Sequence, residues 1–101
     1  MWFTFDPQAG REQAGRCPAL VLSPAEYNRR AGLALVCPIT SQVKGYPFEV
    51  ALPSGLPVSG VVLADHVKNA DWHVRKAQLA AKASRAVVAE VAAKLRPLIG
   101  V

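Results

Sequence analysis

Apolar residues recur at a period of two in several short runs along this chain and at a helical period once, near its end. Met1–Phe5 alternates aromatic and polar positions and predicts a first strand. Asp6–Arg16 is polar, contains Gly10 and Gly15, follows neither period, and predicts a loop. Cys17–Ser23 predicts a second strand, with Pro18 near its start, where a missing donor is tolerated. Ser23 as N-cap and Pro24 at the first helical position predict a short helix over Ala25–Ala31, closed by Gly32. Gly32–Val36 is almost unbroken apolar sequence, the pattern of a strand buried on both faces. Phe48–Leu52 predicts a fourth strand, Pro53–Pro57 a turn and Gly60–Ala64 a fifth strand. His66–Asp71 reads as an irregular connection and Trp72–Gln78 as a sixth strand, whereas the Ala-rich link to Ser84 carries no assignable pattern. Beyond Ser84, residues Val87, Val88, Val91, Leu95, Leu98 and Ile99 share one helical face. Pro97 is expected to distort or end that helix. Six short strands with helices appended predict an α+β fold, a small barrel or strongly curled sheet.

At 101 residues the chain is expected to form a single domain with one core. Half of it is hydrophobic (51%) and 19% is charged, a globular balance that excludes a disordered chain. The formal charge of +5 points to an anionic partner: nucleic acid, an acidic peptide or a membrane surface. No apolar run approaches the roughly 20 residues that span a bilayer, and no signal peptide precedes the first strand, so a cytoplasmic protein is expected. Cys17 and Cys37 match neither zinc nor thioredoxin spacing and are read as free thiols, each a small buried hydrophobe.

Candidate chemistry concentrates between the third and fourth strands. Thr40, Ser41, Gln42 and Lys44 place two hydroxyls, an amide and an ammonium at the end of a buried strand, before Gly45 and Pro47 turn the chain. Such a set suits a phosphate or a sugar; an ordinary polar hairpin loop would use the same residue types. Arg29 and Arg30 end the short helix and favour its dipole, a structural role. His73 alternates with Trp72 as a surface strand residue, and His66 is a minor acid–base candidate at a groove edge.

The chain resembles the MazF/PemK (Kid) family of toxin endoribonucleases. The match rests on Phe5-Asp6-Pro7, Glu12-Gln13-Ala14-Gly15, Pro18–Pro24, Tyr27-Asn28, Pro38-Ile39-Thr40, Lys44–Val50 and Ala64–Lys68, in the family's order and spacing over nearly the whole chain. The resemblance implies a plasmid-maintenance-type SH3-like barrel with a short helix after strand two and a C-terminal helix. It also implies a homodimer, sequence-specific cleavage of single-stranded RNA with neither metal nor cofactor, and an antitoxin whose acidic tail fills the RNA groove. Thr40 would donate to the scissile phosphate. Glu12 and Asp65 would order the loop or contact bases, and Gln13, Arg16, Ser41, Gln42, Lys44 and Gly45 would bind substrate.

Three departures stand out. Family members usually begin about a dozen residues earlier, so the entry to the first strand is shortened here; they commonly carry Gln-Val where this chain has His66-Val67. Above all, Cys17 falls on the Arg that the family uses in catalysis. A thiol cannot supply the planar, charge-assisted bonds of a guanidinium to a phosphorane. Arg16 is adjacent, but neighbouring strand residues face opposite ways, so it replaces that Arg only if the backbone there is still loop. Three classes remain open from sequence: an endoribonuclease impaired by Cys17, a non-catalytic module binding RNA or an antitoxin, and an unrelated small basic barrel.

Overall fold

The computed structural model describes residues 2–5, 17–56, 58–71, 78–81 and 83–100, with backbone alone for 2–5, 17 and 78–81. Among the described residues, seven strands, β1 (Trp2–Phe5), β2 (Cys17–Val21), β3 (Leu33–Thr40), β4 (Glu49–Ala51), β5 (Val61–Leu63), β6 (Lys68–Asp71) and β7 (Gln78–Ala81), join in one antiparallel sheet. Helix α1 (Ala25–Ala31) connects β2 to β3, and α2 (Arg85–Leu95) follows β7. The path runs β4-β5-β3-β2-β1-β7, with β6 also paired to β3. The fold is therefore mixed α+β with an antiparallel sheet and a C-terminal helix.

Strand β3 organises this sheet. One edge pairs with β2, Leu20 opposite Cys37; the other pairs first with β6, Val36 opposite Lys68, and then with β5, Ile39 opposite Val62. The expected strand over Gly32–Val36 thus continues to Thr40, through Pro38. Leu35 accepts a hydrogen bond from the Leu22 N–H, so Leu35 faces β2. Backbone groups alternate between edges, which turns Pro38 toward the other edge, between the last β6 pair and the first β5 pair. The donor that proline lacks falls in that gap, which is why a central strand tolerates it.

Both faces of the middle of the sheet are buried. Leu20, Cys37, Ile39, Val50, Val62, Val87 and Val91 form one cluster, and Ala19, Val21, Ala34, Val36 and Ala70 form another. Successive residues of β2 and β3 divide between the two clusters, as a pleated strand requires. Helix α2 covers the first cluster through Val87 and Val91, and its N-cap Ser84 accepts from the Val87 N–H at 3.3 Å. The helix gives way at Arg96 to a 3-10 turn (Arg96–Leu98) containing Pro97, as expected. Its apolar face stops short of the expected extent: Leu98 and Ile99 are exposed beyond that proline.

Other expectations are corrected. His66–Asp71 is not wholly irregular, because Lys68–Asp71 is β6, held by pairing with β3 although only Ala70 is buried. Strand β7 occupies part of the Ala-rich link; of the strand expected at Trp72–Gln78, residues 72–77 lie outside the described residues. Pro24, not Ser23, is the N-cap of α1 and offers no side-chain cap. Ser23 instead hydrogen-bonds Asn28 and accepts from the Leu35 N–H at 2.9 Å, tying α1 to β3. Gly32 closes α1 as predicted, at φ 71°, its N–H donating to the Asn28 carbonyl.

Candidate functional site

Thr40 ends β3, where it pairs with Val61 of β5. Strand β5 then passes Leu63, paired with Glu49 of β4, into a 3-10 turn over Ala64–His66. Antiparallel β5 runs back along β3 from Val61, and the loop that leaves Thr40 returns to Glu49 beside Leu63, next to the turn that carries Asp65 and His66. A pocket of about 200 Å³ opens there. Thr40, Gln42, Lys44 and Asp65 line it, together with Tyr46, Glu49, Leu63 and His66.

The loop from Ser41 to Pro47 is exposed throughout, so hydrogen bonds rather than burial shape it. The Thr40 Oγ1 accepts from the Gln42 N–H at 3.1 Å, which turns the chain at the strand end. The Glu49 carboxylate accepts from two successive amides: Lys44 N–H to Oε2 at 3.1 Å and Gly45 N–H to Oε1 at 3.0 Å. The Lys44 ammonium stands 6.0 Å from the Tyr46 ring centroid, at the outer edge of cation–π range. From α2, Lys94 Nζ donates to the Pro47 carbonyl at 2.8 Å. His66 Nε2 lies 3.8 Å from the Asp65 carboxylate, both groups solvent-exposed.

Behind the pocket, Cys37 is fully buried and free. Burial, with a smaller push from the Asp65 charge, raises its thiol from 9.0 to about 11. It is the small buried hydrophobe expected from sequence; the side chain of Cys17 lies outside the described residues.

Of the site residues read from sequence, five converge on the pocket: Thr40, Gln42, Lys44, Asp65 and the minor candidate His66. Ser41 and Gly45 belong to the same loop without lining it. Glu12, Gln13 and Arg16 lie outside the described residues. The backbone of Cys17 is strand, paired with Phe5. On the other side of β2, pairing with β3 begins two residues further along, at Ala19 opposite Pro38. Sequence reading passed over Tyr46 and Glu49 as site residues; a carboxylate closing a Gly-Tyr-Pro turn was the available signal. It also passed over Gly60, whose role is visible only in three dimensions.

The family model of PemK-like, MazF-like toxins of type II toxin-antitoxin systems matches residues 1–99. Over 100 residues the chain is 47% identical to the endoribonuclease toxin MazF of Escherichia coli K12, covering 99% of this chain and 89% of that one. Identity to the endoribonuclease PemK of Escherichia coli is 31% over 100 residues, 95% of this chain and 75% of that one. Among solved structures, a MazE-MazF crystal structure from Deinococcus radiodurans superposes with a TM-score of 0.89 at 52% identity, covering 98% of this chain and 90% of that chain. The chain thus belongs to the PemK-like, MazF-like family of type II toxins.

Proposed function

We infer that the pocket at the end of β3 is part of a groove for single-stranded RNA. By family the chain is a type II toxin endoribonuclease. The observation that carries the reading is the convergence of Thr40, Gln42 and Lys44 with Asp65 on one pocket, which offers a hydroxyl, an amide and a cation together. Cleavage of this class needs no metal: the 2′-hydroxyl attacks the neighbouring phosphorus, the P–O5′ bond breaks, and a 2′,3′-cyclic phosphate remains. One group must take the 2′-proton, another must protonate the leaving 5′-oxygen, and donors must hold the charge on the phosphorane. Thr40 donates to the scissile phosphate; Gln13, Arg16, Ser41, Gln42, Lys44 and Gly45 bind and position the strand. Glu12 and Asp65 order the loop or contact bases. Position 17 is where the family's guanidinium would stand, and with Cys17 there the chain cleaves weakly or not at all.

The strands are taken to curl into an SH3-like barrel of the plasmid-maintenance type, pairing with a second copy as a symmetric homodimer. Its antitoxin carries an acidic tail that occupies the same groove, a partner suited to a net charge of +5. The protein acts in the cytoplasm; no helix among the described residues is long and apolar enough to cross a membrane. Cys17 also favours a second reading, in which the same groove binds RNA or antitoxin without cutting.

Binding separates this groove from a merely basic surface. Single-stranded RNA is expected to bind with a salt-dependent affinity and duplex RNA more weakly, because duplex bases are stacked away from the pocket. Equal affinity for the two in a competition titration would overturn the reading.

A further inference from the structure

A carboxylate in a pocket that receives phosphate is an electrostatic liability unless something else occupies it. Glu49 is such a carboxylate, and both of its oxygens are engaged, one by the Lys44 amide and one by the Gly45 amide. Its own N–H donates to the Tyr46 carbonyl at 3.1 Å, so side chain and backbone close the same turn from both directions. The base of this clamp is firm: Glu49 pairs with Leu63 across β4 and β5, and the next residue, Val50, is fully buried. The loop it holds is exposed on every residue from Ser41 to Pro47, and a further tether from the body is Lys94 on the Pro47 carbonyl. Gly45 takes φ 79°, a conformation open to glycine, and turns the chain on toward Tyr46 directly after the two clamped amides.

We propose that Glu49 is a positioning residue for RNA binding: by clamping the Lys44 and Gly45 amides, it holds the Lys44 ammonium at the pocket. This rests on the reading of the pocket as an RNA groove. Glu49 does not touch the RNA, and its effect is carried by Lys44. The consequence runs against simple electrostatics. Removing a negative charge beside a phosphate site should tighten RNA binding, whereas removing a clamp should loosen it.

The test measures binding of a fluorescein-labelled single-stranded RNA of mixed sequence across a salt series. It compares the parent chain with Lys44→Ala, Glu49→Gln and the double variant. Glu49→Gln is expected to weaken binding by roughly 3- to 10-fold, the scale of one or two lost hydrogen bonds. Each single variant should lower the magnitude of the salt slope by about 0.7, the share of one phosphate contact on a single strand. The double variant should bind no more weakly than Lys44→Ala, since the clamp acts only through that side chain. Tighter or unchanged binding by Glu49→Gln while Lys44→Ala is weakened overturns the positioning role and leaves the groove standing; so do losses that simply add. Unchanged binding by Lys44→Ala overturns both. Should Glu49→Gln lose its cooperative thermal unfolding, Glu49→Asp is read instead. That variant keeps the charge but shortens the reach, so it is expected to weaken binding, and affinity equal to the parent's overturns the proposal.

Discussion

Gly60 lies against the backbone of Thr40 so closely that a Cβ on it would fall 2.1 Å from the Thr40 carbonyl oxygen and 2.8 Å from the carbonyl carbon. Its φ of 116° is a conformation side-chain-bearing residues rarely take, and its own carbonyl accepts from the Leu52 N–H at 3.0 Å. Thr40 is therefore seated against a glycine that no other residue replaces without moving the strand end. Gly60→Ala is expected to destabilise the fold by at least about 2 kcal/mol, from overpacking and backbone strain together. Denaturant unfolding measures this, and the same variant should bind single-stranded RNA more weakly. A loss within about 0.5 kcal/mol, the range of ordinary surface substitutions, would show that Thr40 is not held this way.

Cys37 supplies a prediction about reactivity and pH. The thiolate is the nucleophile, and burial holds this thiol protonated up to about 11. In a Cys17→Ser background, where Cys37 is the sole cysteine, a maleimide at pH 8 should leave the folded chain unmodified and label it once after denaturation. The linkage has a definite sign. The folded pKa is raised, so the stability associated with the protonated thiol is complete below 9.0 and is lost as pH rises toward about 11, because the unfolded thiol gives up its proton first. The stability difference between this background and its Cys37→Ala derivative should therefore shift against Cys37 across that window. Rapid labelling of the folded chain at pH 8 would contradict the buried position.

How far the molecule was legible in its sequence depended on whether local pattern or pairing decided each element. Helix α1 was readable from Pro24 and Gly32, and α2 from the spacing of Val87 and Val91 after Ser84, because capping and a 3.6-residue period are local signals. Strand β6 was not readable. Lys68-Asn69-Ala70-Asp71 contains a single buried residue, and the free edge of β3 alone makes it a strand. The continuation of β3 from Val36 to Thr40 was not readable either, since the donor that Pro38 lacks is harmless only at the gap between two partner strands. Leu98 and Ile99 continue the helical period but lie past Pro97, where the chain no longer faces the core. In the site, Thr40, Gln42 and Lys44 could be named from their chemistry, and Asp65 from the family resemblance. Glu49 and Gly60 could not, because one acts on backbone amides and the other by having no side chain.

Position 17 is proposed to decide whether this groove cuts RNA. The most direct measurement compares cleavage of single-stranded RNA by this chain, by Cys17→Arg, and by Cys17→Arg with Thr40→Ala, in the presence and absence of a chelator. Adding one preorganised charged donor at the transition state is expected to raise the rate by about 10²–10³-fold, and more if the group also moves protons. The products should carry 2′,3′-cyclic phosphates and the chelator should have no effect. Thr40→Ala should lower the restored rate while single-stranded RNA still binds. Robust metal-independent cleavage by the Cys17 chain, abolished by Arg16→Ala, would contradict this account and show that Arg16 has taken the role.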